Sequence, residues 1–235
     1  MGKFKIFFVY GLWVMSGWTQ AATTQTVADG IKAYDKANYP EAKKIWEKLA
    51  TAGVVDAQVL LGTLYSQGVV GMAANISEAL KWFNQAAQSG SAAAQFNLGV
   101  MYQKGKGVNQ DYQQALKLYQ LAANQNMMEA QNNLGNLYAK GFGVQKDAAL
   151  ALKWYLKAAE QGHTGAQLNL AQMHLEGDDG LMYSEVQAVK WINKAAEGGN
   201  KKAQKMLAKA YSEGWLNLPR DPQKAKFWSA QANLP

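Results

Sequence analysis

The side chains that could do acid–base or nucleophilic chemistry are few in this chain. Histidine occurs twice, as His163 and His174, and cysteine does not occur. Neither Ser-x-x-Lys nor Gly-x-Ser-x-Gly, the spacings that place an activated serine, is present. A lone histidine without further ligands does not make a metal site. We therefore expect no catalytic residues, no metal and no cofactor, and a hydrolase is the less favoured alternative.

Two short stretches resemble ligand loops. Gly141-x-Gly143-x-x-Lys146 suggests a phosphate loop, but it follows a predicted helix instead of a strand and lacks the full Walker spacing. An acidic loop holds Glu176, Asp178 and Asp179, without the spacing of an EF-hand. We interpret the first stretch as a turn and the second as a solvated loop.

The elements that carry these residues repeat along the chain. A first helix beginning Ala-Gln recurs 37, 36, 36 and 37 residues apart, starting at Ala57, Ala94, Ala130, Ala166 and Ala203. A second helix recurs in step, starting at Ala79, Ala115, Ala151, Ala188 and Ala225. A period of this size predicts an all-α solenoid, in which each unit buries its apolar face by stacking on its neighbours.

The repeated residues carry a family resemblance. The pattern A-x-x-x-L-G-x-x-Y, then a Gly-x-Gly-Val turn at Gly141, Gly143 and Val144, then A-x-x-W and A-A-x-x-G, resembles the Sel1-like repeat. That family is related to the tetratricopeptide repeat. The resemblance implies an α/α superhelix of antiparallel helix pairs that holds other proteins. It divides residues 56–235 into five repeats, at about 57–93, 94–129, 130–165, 166–202 and 203–235.

Within a repeat, spacing predicts which side chains are buried. Ala130, Leu134 and Tyr138 lie on one helical face, which we expect to point inward. His174 stands where other repeats have tyrosine and is predicted to be a packed substitute. A glycine inside a helix costs about 1 kcal/mol, so a neighbouring helix should approach closely at Gly62, Gly99 and Gly135.

Turn chemistry predicts the helix ends. Left-handed C-caps are expected at five glycines after the first helices, namely Gly68, Gly105, Gly141, Gly177 and Gly214. The second helices should begin at polar N-caps, namely Asn75, Asp111, Ser184 and Asp221.

The N-terminal residues differ from the repeats. Residues 1–22 have the form of a cleavable export signal, with Lys3 and Lys5 before an apolar run and small residues ending at Ala21 or Ala22. An uncleaved anchor helix is the alternative. Residues 23–55 resemble a tetratricopeptide hairpin and are predicted to cap the stack. We expect a periplasmic protein with no stable membrane insertion after cleavage.

Charge and composition narrow the class of partner. The chain carries a formal net charge of +7, which falls to about +5 without the signal. The basic residues form no concentrated arm and no nucleic-acid reading motif occurs, so we expect no nucleic-acid partner. Without cysteine there are no disulfides and no thiol-linked lipid.

The positions that vary between repeats are the candidate binding site. On the first helix of repeat three, Asn132, Asn133, Asn136 and Lys140 recur at helical spacing opposite the buried face. Resemblance to tetratricopeptide proteins implies that such positions line a shared groove, and asparagine amides can both donate to and accept from a peptide backbone. A merely solvated face is the alternative. The predicted groove residues are Phe96, Asn97, Val100, Asn132, Asn133, Asn136, Lys140, Asn169, Gln172, Lys202, Lys205 and Lys209.

The predicted groove changes character along the chain. Val59, Leu60 and Thr63 suggest an apolar first end, and the lysines of repeat five suggest a basic last end. We expect the partner segment to carry an apolar anchor and, at its other end, carboxylates. The lysines have an alternative role in solubilising a terminal repeat.

These features predict a non-catalytic binding module that is monomeric until its partner arrives. The resemblance implies two uses. One is an immunity protein that captures a toxic effector, as some Sel1-like proteins do against phospholipases delivered by type VI secretion. The other is an adaptor or structural subunit of a cell-envelope assembly.

Overall fold

The computed structural model describes residues 25–177 and 182–233. The predicted signal at residues 1–22 lies outside this part, as do Asp178 and Asp179 of the acidic loop. The described residues form twelve α-helices and no strand, which confirms the all-α solenoid. The helices are α1 (Val27–Asp35), α2 (Tyr39–Thr51), α3 (Val55–Gln67), α4 (Ile76–Gln88), α5 (Ala92–Lys104), α6 (Tyr112–Asn124), α7 (Met128–Lys140), α8 (Ala148–Glu160), α9 (Thr164–Glu176), α10 (Glu185–Glu197), α11 (Lys201–Glu213) and α12 (Pro222–Asn233).

Each repeat consists of a leading helix (α3, α5, α7, α9 or α11) and a trailing helix (α4, α6, α8, α10 or α12). Three residues connect each trailing helix to the next leading helix. The middle one has positive φ, which is why glycine recurs there, and Asn126 (φ 67°) is a residue type that tolerates this conformation. Such short turns force neighbouring helices to pack side by side.

Polar caps begin the trailing helices as predicted. Asp111 accepts a hydrogen bond from the backbone N–H of Gln114 at 2.9 Å, and Asn75 and Ser184 cap α4 and α10 in the same way. The leading helices end at left-handed glycines in repeats two to five. Gly68 is the exception, with φ 67° and ψ 170°, because the chain turns there into a bridge between Val69 and Met72. The predicted left-handed cap at Gly68 was therefore wrong.

The glycines inside three leading helices leave space for an aromatic ring of the trailing helix. A Cβ at Gly62, Gly99 or Gly135 would lie 2.8, 2.6 or 2.7 Å from the ring of Phe83, Tyr119 or Tyr155 in the trailing helix. Real Cβ atoms do not approach a ring so closely. In repeat four the equivalent pair is Ala171 and Ile192, both fully buried. The expected close approach is confirmed, and residue sizes on the two helices are matched.

A buried glutamine joins each leading helix to the helix before it. The side chains of five glutamines, at most 6% exposed, donate from Nε2 to the carbonyl of an alanine eight residues earlier, at 3.0–3.4 Å. That alanine lies in the last turn of the preceding helix, where its carbonyl accepts both from the glutamine and from the backbone N–H of the turn residue three positions later. The five residues are Gln58, Gln95, Gln131, Gln167 and Gln204.

The loops between leading and trailing helices stack on the previous repeat. A Cβ at Gly143 would lie 2.6 Å from backbone and side-chain atoms of Tyr112, at the start of α6. The Phe142 ring lies 5.0 Å from the Tyr112 ring, and Lys106 Nζ donates to the carbonyl of Ser66 at 2.8 Å. The glycine-rich stretch therefore acts as a packed turn.

The two ends of the described stack differ. At the first end, α1 and α2 pack through Trp46, whose indole N–H donates to the Val27 carbonyl at 3.4 Å. At the last end, only Ala232 of α12 is buried, and Phe227 is 52% exposed. None of the helices in the described ranges combines the length and apolar content that crossing a bilayer requires.

Candidate partner-binding site

The candidate site is a face shared by the five leading helices, which we call the leading-helix face. It consists of the third, fourth and seventh residues counted from the Ala of each Ala-Gln pair. In chain order these are Val59, Leu60, Thr63, Phe96, Asn97, Val100, Asn132, Asn133, Asn136, Leu168, Asn169, Gln172, Lys205, Met206 and Lys209. Helical spacing places them beside the buried stripe of each helix, except for Leu60, which is itself buried.

Three predicted asparagines meet between two leading helices. Asn169 of α9 donates from Nδ2 to Asn132 Oδ1 at 3.0 Å and lies 3.3 Å from Asn136 Oδ1, both on α7. All three side chains are half-buried. The fourth position of one repeat thus lies against the third and seventh positions of the repeat before it. This contact makes one surface of two consecutive helices.

A buried tyrosine holds one of these amides in place, and a second buried tyrosine bonds a glutamine of α5. The Tyr155 hydroxyl donates to Asn136 Oδ1 at 2.8 Å, and the Tyr119 hydroxyl donates to Gln103 Oε1 at 2.6 Å. Burial raises the pKa of Tyr155 and of Tyr119, so both hydroxyls remain protonated donors at neutral pH. The oxygen of Asn136 is therefore committed to the fold.

Other polar atoms of the asparagine cluster remain available. Within the described part of the chain, no hydrogen bond is formed by Asn136 Nδ2 or by Asn169 Oδ1. Asn132 Nδ2 makes one long contact of 3.5 Å with Asn133 Oδ1. The cluster can thus offer a partner both donors and an acceptor.

The first end of the face is less exposed than the sequence suggested. Leu60 is only 6% exposed and belongs to the core. Phe96 and Val100 pack against buried residues, and the Phe96 ring lies 5.8 Å from the Tyr119 ring. The apolar end therefore presents edges of packed side chains, and the prediction that included Leu60 was wrong because its side chain fills the space between helices. Asn97 is half-buried.

The last end is basic and exposed. Lys202, Lys205 and Lys209 are all exposed, and Lys209 Nζ lies 3.9 Å from Glu213 Oε2 and 5.9 Å from the Trp215 ring. An exposed ion pair of this length constrains the lysine little. The three ammonium groups are accessible to acidic side chains of a partner.

The remaining predicted residues lie in the second halves of α7 and α9. Lys140 is exposed at the end of α7, with Nζ 5.9 Å from the Phe142 ring. Gln172 is exposed and donates to Glu176 one turn later. Among the described residues, neither side chain forms a direct hydrogen bond with the asparagine cluster.

Of the two histidines, His163 has a structural role. His163 is the N-cap of α9, where Nδ1 accepts from the Ala166 N–H at 3.0 Å. Burial lowers the pKa of His163, although Glu129 opposes the shift. Burial also lowers the pKa of half-buried His174. No group of three or more metal-binding side chains occurs in residues 25–177 and 182–233.

Sequence reasoning missed the five buried glutamines and the tyrosine beneath the asparagines. The glutamine signal was visible, because glutamine follows the first alanine in every repeat. Its partner, a carbonyl in the preceding helix, could only be identified once the turn geometry was known.

Comparison with known proteins agrees with this architecture. The Sel1 repeat profile matches residues 55–91, 92–127, 129–163, 164–200 and 201–233. The crystal structure of a Sel1 repeat protein from Oxalobacter formigenes is 32% identical, with a TM-score of 0.80, over 88% of this chain and 87% of that one. A search of curated proteins found no match.

Two further solved structures are similar. One is c5321, a protective antigen of uropathogenic Escherichia coli with an SLR fold, at 27% identity and TM-score 0.62, over 88% of this chain and 52% of that one. The other is the immunity protein PA5088 from Pseudomonas aeruginosa, at 18% identity and TM-score 0.61, over 92% of this chain and 83% of that one; this likeness shows the fold alone. The chain is a member of the Sel1 repeat family.

Proposed function

We propose that this protein is an exported, non-catalytic interaction module that binds another protein along the leading-helix face. The observation that carries the proposal is the bridge from Asn169 to Asn132 and Asn136, which joins two leading helices into one polar surface. A polar surface that continues from one repeat to the next suits an extended partner segment, whose backbone carries hydrogen-bonding groups along its length.

The partner's chemistry follows from the two ends of the face. The asparagine cluster offers donors and an acceptor that match the backbone of a peptide segment. The accessible lysines of α11 favour carboxylates beyond that segment. We infer a partner with an acidic stretch next to an extended or helical segment.

The role we favour is that of a periplasmic immunity protein that neutralises an effector toxin, for example a phospholipase delivered by type VI secretion. Two arguments support it: the export signal predicted from residues 1–22, and a fold shared with the immunity protein PA5088. In this role the protein is a monomer until the toxin arrives. An adaptor subunit of an envelope assembly is the second candidate, favoured by the exposed aromatic surface at Phe227 on the last helix.

The test is site-specific photocrosslinking in living cells, followed by mass spectrometry. A crosslinking residue replaces Gln172 on the leading-helix face and, as the matched control, Lys153 on the exposed side of α8. A partner captured from position 172 and not from position 153 supports binding along this face. A toxin selects immunity and an envelope component selects the adaptor. Equal capture from both positions, or none in cells that contain the candidate toxin, rejects the proposal.

A further inference from the structure

A second contact for the partner lies in repeat one, away from the leading-helix face. We propose that the cleft beside Gln58 and Trp82 binds a primary carboxamide, the side chain of a glutamine or asparagine on the partner protein. This inference rests on the proposed function, because it names one recognition contact of the same complex.

Repeats two and three show how the equivalent place, which we call the slot, is filled by the protein itself. In repeat two, Gln125 donates from Nε2 to the buried Gln95 Oε1 at 2.8 Å; in repeat three, Gln161 donates to Gln131 Oε1 at 2.7 Å. Gln125 and Gln161 are the C-cap residues of α6 and α8. In both repeats a carboxamide from the end of the trailing helix completes the hydrogen bonding of the buried glutamine.

Repeat one lacks that carboxamide. The C-cap residue of α4 is Ser89, whose hydroxyl donates back to the Gln85 carbonyl at 3.2 Å. Gln58 Oε1 is consequently buried without a hydrogen-bond partner, although Gln58 Nε2 donates to the Ala50 carbonyl. An unpaired buried acceptor is unfavourable, so a ligand that supplies the missing donor is stabilised there.

A buried donor is also unpaired at the same place. Trp82 is 8% exposed and Gln58 is 6% exposed, and Trp82 Nε1 has no hydrogen-bond partner. Both residues line a cleft of about 580 Å³, together with Lys81, Gln85, Gln88 and Ser89. Gln167 and Gln204 also have an unpaired Oε1, but within the described residues Trp82 is the one tryptophan with a buried, unpaired indole N–H. The combination is specific to repeat one.

The two unpaired atoms define the ligand. A carboxamide can donate from its NH₂ group to Gln58 Oε1 and accept from the Trp82 indole N–H. A carboxylate has no hydrogen to donate to Gln58, and an ammonium group cannot accept from Trp82. A hydroxyl can also donate and accept, but carboxamides occupy the equivalent places in repeats two and three, and we therefore infer a carboxamide here.

The first test uses a small probe and nuclear magnetic resonance of the full mature chain. N-acetylglutamine methylamide is titrated while the Trp82 indole resonance and the Ser89 backbone amide are followed. N-acetylglutamate methylamide is the matched control. We expect saturable shifts with the glutamine probe and none with the glutamate probe. No saturable shift, or equal shifts with both probes, overturns the inference.

The second test fills the slot from within. Ser89→Gln installs the residue that repeats two and three have at this position, so we expect it to abolish probe binding and raise Tm by about 2–4 °C. Probe binding that persists in Ser89→Gln overturns the inference. Trp82→Phe retains an aromatic ring and removes the indole N–H donor. We expect it to weaken probe binding about ten-fold, as followed at the Ser89 backbone amide. Unchanged affinity in Trp82→Phe also overturns the inference.

The partner assay separates this inference from the proposed function. If photocrosslinking at position 172 captures a partner, Ser89→Gln should weaken that complex about ten-fold. If a partner is captured but Ser89→Gln leaves its affinity unchanged, the slot is not a recognition contact, while the proposed function stands.

Discussion

A methyl group on Cα of Gly135 would lie 2.7 Å from Cδ1 of Tyr155, so the two residues fit only because one has no side chain. The same relationship joins Gly62 to Phe83 and Gly99 to Tyr119. Where the partner ring is absent, as at Ile192, the glycine is replaced by Ala171. Helix spacing inside repeats one to four is therefore set by a matched pair of residues.

Replacing Gly135 with alanine should destabilise the protein. Overpacking costs about 1–3 kcal/mol and exceeds the roughly 1 kcal/mol that alanine gains in helix propensity. Urea unfolding followed by circular dichroism measures the effect. Adding Tyr155→Ile should restore most of the loss, because it reproduces the Ala171–Ile192 pair. A fully stable Gly135→Ala single variant would show that the helices move apart easily.

We expect the buried side chain of Gln131 to contribute to the stability of the protein. It is 1% exposed, donates to the Ala123 carbonyl and accepts from Gln161. Gln131→Leu removes both bonds, but the Ala123 carbonyl still accepts from the Asn126 N–H, and the exposed Gln161 still donates to the Lys157 carbonyl. We therefore expect a loss of about 1–2 kcal/mol in the free energy of unfolding. Exposed Lys153→Ala is the control. A loss below about 0.5 kcal/mol would mean that water replaces the amide.

The link between Tyr155 and Asn136 predicts separate effects on stability and binding. Asn136→Ala leaves the Tyr155 hydroxyl without its acceptor and should cost about 1–2 kcal/mol. Asn136→Asp preserves an acceptor but introduces a charge beside Asn132 and Asn169 and removes the NH₂ donor. We expect Asn136→Asp to fold and to bind the partner at least ten-fold more weakly, measured by calorimetry. Full affinity would place the partner elsewhere.

Stability should fall in mild acid because of His163. Its Nδ1 must be neutral to cap α9, and burial lowers its pKa below the usual 6.5. The unfolded chain therefore takes up the proton first, so stability is complete above about pH 6.5 and declines as the pH falls towards the folded pKa. Thermal melts between pH 7.5 and pH 5 measure the decline.

The control for this pH dependence is His163→Ser, since Ser91 caps the equivalent helix α5. It should retain the cap and lose part of the decline. His174→Tyr removes the second histidine, whose pKa burial also lowers, and tests its share. An identical decline in both variants would assign the pH dependence to the carboxylates.

The basic end of the leading-helix face should control association rate. Lys205→Glu with Lys209→Glu reverses two exposed charges, so we expect weaker partner binding, mainly through a slower on-rate, and a smaller dependence on salt. Stopped-flow measurements at two ionic strengths test this. Lys153→Glu with Lys157→Glu is the matched charge reversal on α8. Unchanged association would indicate that the lysines of α11 only solubilise the last repeat.

Local patterns predicted the fold well because its determinants are local. Period, capping residues and glycine positions placed the helices, since each depends on neighbours within one or two turns. The site was harder to predict. Whether Leu60 or Asn97 is exposed depends on the distance between successive helices, and that distance is set by ring and glycine pairs about twenty residues apart. Spacing identified Asn132 and Asn136 as surface residues, but not that Tyr155 fixes one of them.

Of the five buried glutamines, only the two in repeats two and three have both side-chain polar atoms hydrogen-bonded. Gln95 and Gln131 are doubly bonded, whereas the oxygen atoms of Gln58, Gln167 and Gln204 are left unpaired. In an array whose units touch only their neighbours, each junction opens at its own free energy. Heating should therefore fray the outer hairpins while the centre persists, and the asparagine cluster, which joins α7 to α9 beside the singly bonded Gln167, lies at the boundary between the two.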